Sequence, residues 1–172
     1  MVSGDGGGQL AGGESRSQTG RVVGFFHASV TVSDMDEALR FYRDGLGLEL
    51  RLLGTARGPE ANRIWGLAPT RVKVAFLDVP GGDAQIELFE FEGIDRNDAS
   101  ARPCDYGAGH FCLYVDDADA VHGRLRELGF GARSEMPVEI QDGPFAGAKA
   151  IYTIDPDGYH VELYQHPGRA SA

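Results

Sequence analysis

The chain carries one pattern twice, and any fold it adopts has to accommodate that duplication. From His27 the residues run His-Ala-Ser-Val-Thr-Val-Ser-Asp-Met-Asp, and from His110 they run His-Phe-Cys-Leu-Tyr-Val-Asp-Asp-Ala-Asp. Val32 and Val115 fall five residues after the histidines, Asp34 and Asp117 seven after, and Asp36 and Asp119 nine after. Each copy continues to a Leu-Gly, Leu46-Gly47 and Leu128-Gly129. Each then closes on a similar strand pattern, Gln85-Ile86-Glu87-Leu88-Phe89 and His160-Val161-Glu162-Leu163-Tyr164. A duplicated module with one His and one Glu per copy can bring two of each to a shared axis, and that is a set of groups suited to a metal ion.

Hydrophobic periodicity gives the same element order in both copies. Val22 to Val32 alternates, with Phe26, Ala28, Val30 and Val32 on one face and His27, Ser29 and Thr31 on the other. Ser33-Asp34 offers a helix N-cap. Met35, Ala38, Leu39, Tyr42 and Leu46 recur at helical spacing, so a helix is expected over Met35 to Asp44, ended by Gly45 and Gly47. Strands follow at Leu48 to Leu53, Arg71 to Val79 and Ala84 to Phe91, the last two joined by the turn Pro80-Gly81-Gly82-Asp83. The stretch from Gly54 to Thr70, which contains Trp65, reads as an irregular loop. The second copy offers strands at Ala108 to Val115, near Gly131 to Glu135, at Ala148 to Ile154 and at Tyr159 to Tyr164. Its helix is expected over Asp117 to Leu128. The chain therefore reads as α+β, two tandem βαβββ modules. They span residues 21–92 and 107–166 and are joined by a polar linker over 93–106. Residues 1–20 and 167–172 are expected to be tails, the first because its glycines and serines leave almost nothing apolar to bury.

Composition narrows the function classes. The formal net charge of −10 opposes a phosphate backbone, so nucleic acid is not an expected partner. No apolar run approaches the length of a membrane span, and Met1 to Gly20 has no apolar core of a secretory signal. Two cysteines without Cys-x-x-Cys spacing, Cys104 and Cys112, argue against a disulfide framework or structural zinc and suit a reducing cytoplasm.

Three segments resemble one family. They are Phe41 to Leu48 (Phe-Tyr-Arg-Asp-Gly-Leu-Gly-Leu), Gly109 to Asp117 (Gly-His-Phe-Cys-Leu-Tyr-Val-Asp-Asp) and Asp155 to Leu163 (Asp-Pro-Asp-Gly-Tyr-His-Val-Glu-Leu). Together with the paired modules they are similar to the vicinal oxygen chelate superfamily. That superfamily includes glyoxalase I, methylmalonyl-CoA epimerase, extradiol dioxygenases, fosfomycin-modifying enzymes and bleomycin-resistance proteins. The resemblance spans roughly Val22 to Gln165. It implies two curved half-barrels with metal ligands on the concave faces of the first and last strands, at His27, Glu87, His110 and Glu162. It also implies one divalent ion per site (Fe, Ni, Co, Mn or Zn) and a homodimer whose sites can be completed across chains.

Two imidazoles and two carboxylates leave two adjacent positions of an octahedral field for a substrate with neighbouring oxygens. The ion then acts as a Lewis acid on an enolate or enediolate, with Glu162 or Glu87 as the base. Phe89, Phe91, Tyr114, Cys112, Thr31 and Tyr152 are the expected substrate-binding residues, and they suit a small, hydrophobic, oxygenated molecule. His160, His122, Asp155 and Asp157 are read as structural: His160 as satisfied or solvent-facing, His122 as lying on the outer helix, and the two aspartates as turn residues. Glyoxalase I-like proteins hold glutathione with an Arg and an Asn at the positions of Thr31 and Phe91, so this chain lacks that grip. Four ligands favour the isomerase, lyase or epimerase branch. The alternatives are an Fe(II)-dependent extradiol-type dioxygenase and a metal-free drug-binding or self-resistance protein.

Overall fold

The computed structural model describes residues 20–97 and 101–168. The expected tails at 1–20 and 167–172 lie outside the described residues, except for Gly20, Pro167 and Gly168. The first module runs β1 (His27–Thr31), α1 (Met35–Leu39), β2 (Glu49–Ala56), α2 (Pro59–Trp65), β3 (Arg71–Asp78) and β4 (Gln85–Glu92). The second runs β5 (His110–Tyr114), α3 (Ala118–Glu127), β6 (Gly131–Ala132), β7 (Val138–Glu139), β8 (Lys149–Ile154) and β9 (His160–Gln165). The sheets are ordered β1-β4-β3-β2 and β5-β9-β8-β6, with β7 also pairing to β8. In each sheet the first strand lies parallel to the last and the others are antiparallel.

The duplication reaches the hydrogen bonds. The Asp34 carboxylate accepts from the Glu37 N–H and that of Asp117 from the Ala120 N–H, each at 3.0 Å, so both helices are N-capped by the same residue of the repeat. One position further on, the Met35 N–H donates to Glu90 Oε2 (2.8 Å) and the Ala118 N–H to Gln165 Oε1 (3.0 Å). In each module a side chain of the last strand therefore ties down the start of the helix, which seats the helix across the inner face of its sheet.

Four expectations are corrected. The first strand begins at His27 rather than Val22, because β4 starts at Gln85, whose N–H reaches only as far back as the Phe26 carbonyl (3.1 Å). Phe26 consequently leaves the Ala28–Val30 face and packs edge-on to His27 and stacked on Phe76. The stretch from Gly54 to Thr70 is not irregular. β2 continues to Ala56, and α2 follows with Pro59 in its first turn and left-handed Gly66 at its end. α2 has one apolar anchor and no stripe, so periodicity missed it. His122 is buried in α3 rather than facing outward, and burial pushes its imidazole below the usual histidine range. In place of a strand to Glu135, β6 ends at Ala132, and β7 adds a short pairing to β8.

One core serves both modules. It joins Val30, Met35, Leu39, Phe41 and Leu88 of the first to Val121, Leu125, Ile151, Val161 and Leu163 of the second. After α1 the backbone widens into a π-helical turn over 40–45, with the Leu46 N–H bonded to the Phe41 carbonyl at 2.8 Å. The wider turn rotates less per residue, so the adjacent Phe41 and Tyr42 both reach the core. Phe41 packs edge-on to Phe130, and Tyr42 lies against Phe111. Gly45 meets α3 where a Cβ would lie 2.4 Å from Leu125 Cδ2, and Arg124 Nε donates to the Gly45 carbonyl at 2.6 Å. Gly45→Ala is expected to cost about 1–3 kcal/mol through overpacking of this junction, read as a lower urea midpoint.

The buried Tyr42 hydroxyl donates to Asp155 Oδ2 (2.9 Å), while Asp155 Oδ1 accepts the N–H groups of Asp157 and Tyr159. Asp155 is thus the turn residue its sequence suggests and also a tether between modules. Burial holds its carboxyl above the usual range, and these hydrogen bonds pull it back down. A raised folded value means that the native state binds the proton more tightly, so stability falls as pH rises from the unfolded value through the folded one. Tyr42→Phe removes one downward pull. Its cost, about 1–2 kcal/mol at neutral pH, is expected to shrink toward pH about 4, as measured by urea unfolding at the two values.

Candidate functional site

With the helices on the inner faces, each sheet turns its other face outward, and period-two alternation sets what that face carries. In the first sheet these are His27, Ser29 and Thr31 of β1, Glu87, Phe89 and Phe91 of β4, and Val72, Val74 and Phe76 of β3. In the second they are His110, Cys112 and Tyr114 of β5, His160, Glu162 and Tyr164 of β9, and Tyr152 of β8.

Parallel pairing sets Ser29 opposite Glu87 and Cys112 opposite Glu162, one strand step beyond each histidine. The imidazole then reaches diagonally to the carboxylate. His27 Nε2 lies 3.1 Å from Glu87 Oε2, and His110 Nε2 lies 3.2 Å from Glu162 Oε2. The same atoms meet at nearly the same separation in both modules. The Glu87 side chain is 10% exposed and that of Glu162 19%. Burial pushes the Glu87 carboxyl up, against the opposing pull of His27 and then of the Ser29 hydroxyl. On the other sheet, desolvation and then the neighbouring Glu162 carboxylate push the Cys112 thiol up to about 12, so it stays protonated beside that carboxylate.

The two pairs do not meet within one chain. Among the described residues, no three His, Cys, Asp or Glu side chains converge on one point. Each pair by itself suits a divalent ion. Ligands at about 2.1 Å from a common ion in adjacent positions lie about 3 Å apart, which is close to the separation each Nε2 and Oε2 show. A cation would also offset the cost of holding the Glu87 carboxylate in a largely apolar setting. Among the described residues, the buried Nδ1 of His27 finds no hydrogen-bond partner, nor does the Tyr164 hydroxyl.

The remaining expected residues divide between the two faces. Phe89 and Phe91 lie beside the His27–Glu87 pair. Trp65 comes down from α2 to pack edge-on to both, at ring distances of 5.6 and 5.2 Å. With Val72, Val74, Phe76, Ala56 and Ile94 they form a second apolar cluster, separate from the core. Thr31 lines a cleft of about 1010 Å³ with Ser29, Phe91, Leu67 and Ile94, and its far side is formed by Tyr159 and His160. On the second sheet Tyr152 places its hydroxyl 3.3 Å from His110 Nε2, and Tyr114 packs edge-on to Tyr164. His160 is satisfied: Arg133 Nε donates to its Nε2 at 2.7 Å, and burial, then Arg133, depress its basicity. Reading the residues did not single out Ser29 or Arg133. Ser29 could have been found from the His-x-Ser and His-x-Cys spacing, which puts a weak donor opposite each carboxylate, whereas Arg133 has no local signal.

The profile of the Glyoxalase/Bleomycin resistance protein/Dioxygenase superfamily matches residues 24–163, and the chain belongs to that superfamily. Two relatives place it more closely. It is 32% identical over 151 residues to a 2-epi-5-epi-valiolone epimerase from Actinomyces sp., covering 86% of this chain and 82% of that protein. It is 30% identical over 149 residues to the lactoylglutathione lyase of Haemophilus influenzae, covering 84% and 94%. Among solved structures, a glyoxalase family protein from Bacillus cereus superposes with a TM-score of 0.75 at 23% identity, covering 88% of this chain and 99% of that one. Glyoxalase I from Zea mays superposes at 0.61 and 24% identity. There 86% of this chain matches 45% of the plant protein, so the chain spans less than half its length. These likenesses support the fold expected from the sequence.

Proposed function

We propose that the chain is a divalent-metal-dependent isomerase or epimerase that moves a proton next to the carbonyl of a small oxygenated substrate, and that its sites are assembled by two copies of the chain. The observation that carries this reading is the pair of equivalent His–Glu clusters, 3.1 and 3.2 Å across, that face outward and do not converge in one chain. Apposing the first face of one copy to the second face of another gives two complete sites per dimer, each holding His27 and Glu87 from one copy and His110 and Glu162 from its partner. The ion, when bound, supplies Lewis acidity to the oxygen on which negative charge develops.

The other steps belong to side chains. Glu162, the more exposed carboxylate, takes the proton from the carbon beside the carbonyl onto a carboxylate oxygen, leaving an enediolate. Delivery of a proton to the opposite face of that carbon, by Glu87 in its protonated form and released from the ion, would invert the centre while the proton taken by Glu162 returns to solvent, and delivery to the neighbouring carbon would give the isomer. Phe89, Phe91 and Trp65 keep water from one wall. Thr31 and Phe91 stand where a glutathione-binding Arg and Asn are expected of glyoxalase I. The epimerase relative, named for inverting a centre in a ketone, is therefore the better guide to the substrate than the lyase.

Glu162→Gln and His110→Ala are each expected to lower metal content to background and turnover by at least about 100-fold. Elemental analysis of protein purified without an affinity-metal column checks the first, and exchange of the carbon-bound proton of an α-hydroxyketone in heavy water checks the second. Full metal occupancy in either variant would remove that residue from the site. A mixing experiment tests the assembly. His27→Ala and His110→Ala protein, each inactive alone, are expected to recover about a quarter of the wild-type sites after denaturation and refolding together, because each mixed dimer regains one intact site. A site built within one chain gives no recovery.

A further inference from the structure

The helix that carries Trp65 is joined to the sheet in an unusual way. It begins after Gly58, at φ 112°, and ends at Gly66, at φ 66°, conformations that L side chains rarely adopt. Between them Ile64 is 82% exposed, and the indole of Trp65 supplies the aromatic contacts of the helix, onto Phe89 and Phe91. Those two phenylalanines alternate with Glu87 along β4, so the indole lies on the same face as the His27–Glu87 pair. The apolar cluster it completes is separate from the core: Val72, Val74 and Phe91 are buried within it, and Trp65, Phe89 and Ile94 are partly buried around them. Its Phe91 and Ile94 also line the cleft that holds Leu67, Ser29 and Thr31. Trp65 and Phe89 stay partly exposed at the edge of this buried cluster, on the face that carries the His27–Glu87 pair, which leaves apolar ring surface available to a ligand there.

We propose that Trp65 is the specificity-determining residue of this site, and that with Phe89 and Phe91 it forms a subsite for a flat apolar or aromatic group carried by the substrate next to its two chelating oxygens. This inference rests on the metal-dependent reading above and adds the class of substituent that the site selects. Indole and phenyl edges offer a ring both a large apolar area and favourable edge-to-face contacts, whereas a methyl group gains little from them.

The test uses two hydroxamates that chelate through the same pair of oxygens and differ only in substituent. Benzohydroxamate and acetohydroxamate are titrated calorimetrically into the full chain loaded with zinc, and each affinity is taken relative to that for free zinc. The benzo compound is expected to bind at least about tenfold more tightly on this scale, and Trp65→Ala to erase the preference between the two compounds. Because the chain has a single tryptophan, its emission provides a readout that needs no variant. Benzohydroxamate is expected to shift it and acetohydroxamate to leave it in place. Equal binding of the two compounds, an unaltered preference in Trp65→Ala, or no emission change at saturating benzohydroxamate would overturn the subsite while leaving the metal centre intact. Failure of both compounds to bind the zinc-loaded protein would instead overturn the metal reading, and this inference with it.

Discussion

The packing of the first module's helix against the second's is the contact on which the rest of the molecule depends. Gly45 permits the close approach to Leu125, the π-helical turn delivers both Phe41 and Tyr42 to the junction, and the Tyr42–Asp155 hydrogen bond fixes its far side. A sheet has two faces, and once one is covered by helices shared between modules the other must look outward. The positions of His27, Glu87, His110 and Glu162 are therefore consequences of how the core is filled, acting through alternation along four strands.

The same arrangement bears on assembly. Outward faces bearing Phe26, Phe76, Tyr114 and Phe145 present apolar surface to solvent in a single copy. The proposed pairing of copies covers those surfaces and completes the ligand sets in one step. Folding of the chain and formation of the site are then separate events, and a variant can lose the second without the first.

The sequence made some of this plain and hid the rest for physical reasons. Alternation in β1, β4, β5 and β9 is strong enough to place His27 with Ser29 and Glu87 with Phe89 on common faces, and the capping Asp34 announces the first helix. Those features are local, and local signals are visible in one chain. Helix α2 was invisible because it is held by Trp65 and its flanking glycines and has no apolar stripe. The Arg133–His160 bond, the burial of His122 and the Tyr42–Asp155 tether join residues far apart in the chain, and no spacing rule encodes them. The first strand is shorter than its alternation suggests because pairing depends on where its neighbour begins, which the strand's own residues do not say.

The two halves of the molecule are near copies in backbone and in their His–Glu pairs, yet helix α2 occurs only in the first, while the second carries β7 and Phe145 in the corresponding loop. The proposed ligand set of two histidines and two glutamates, related by pseudo-two-fold symmetry, presents the same groups after a half-turn. It would hold a flat chelating molecule equally well either way round. Trp65 on α2 beside one pair and the Phe145 loop beside the other remove that equivalence and give a bound molecule a left and a right. In a protein built from a repeated module, the divergence of one loop is enough to turn a cradle with two equivalent orientations into one that admits a single orientation.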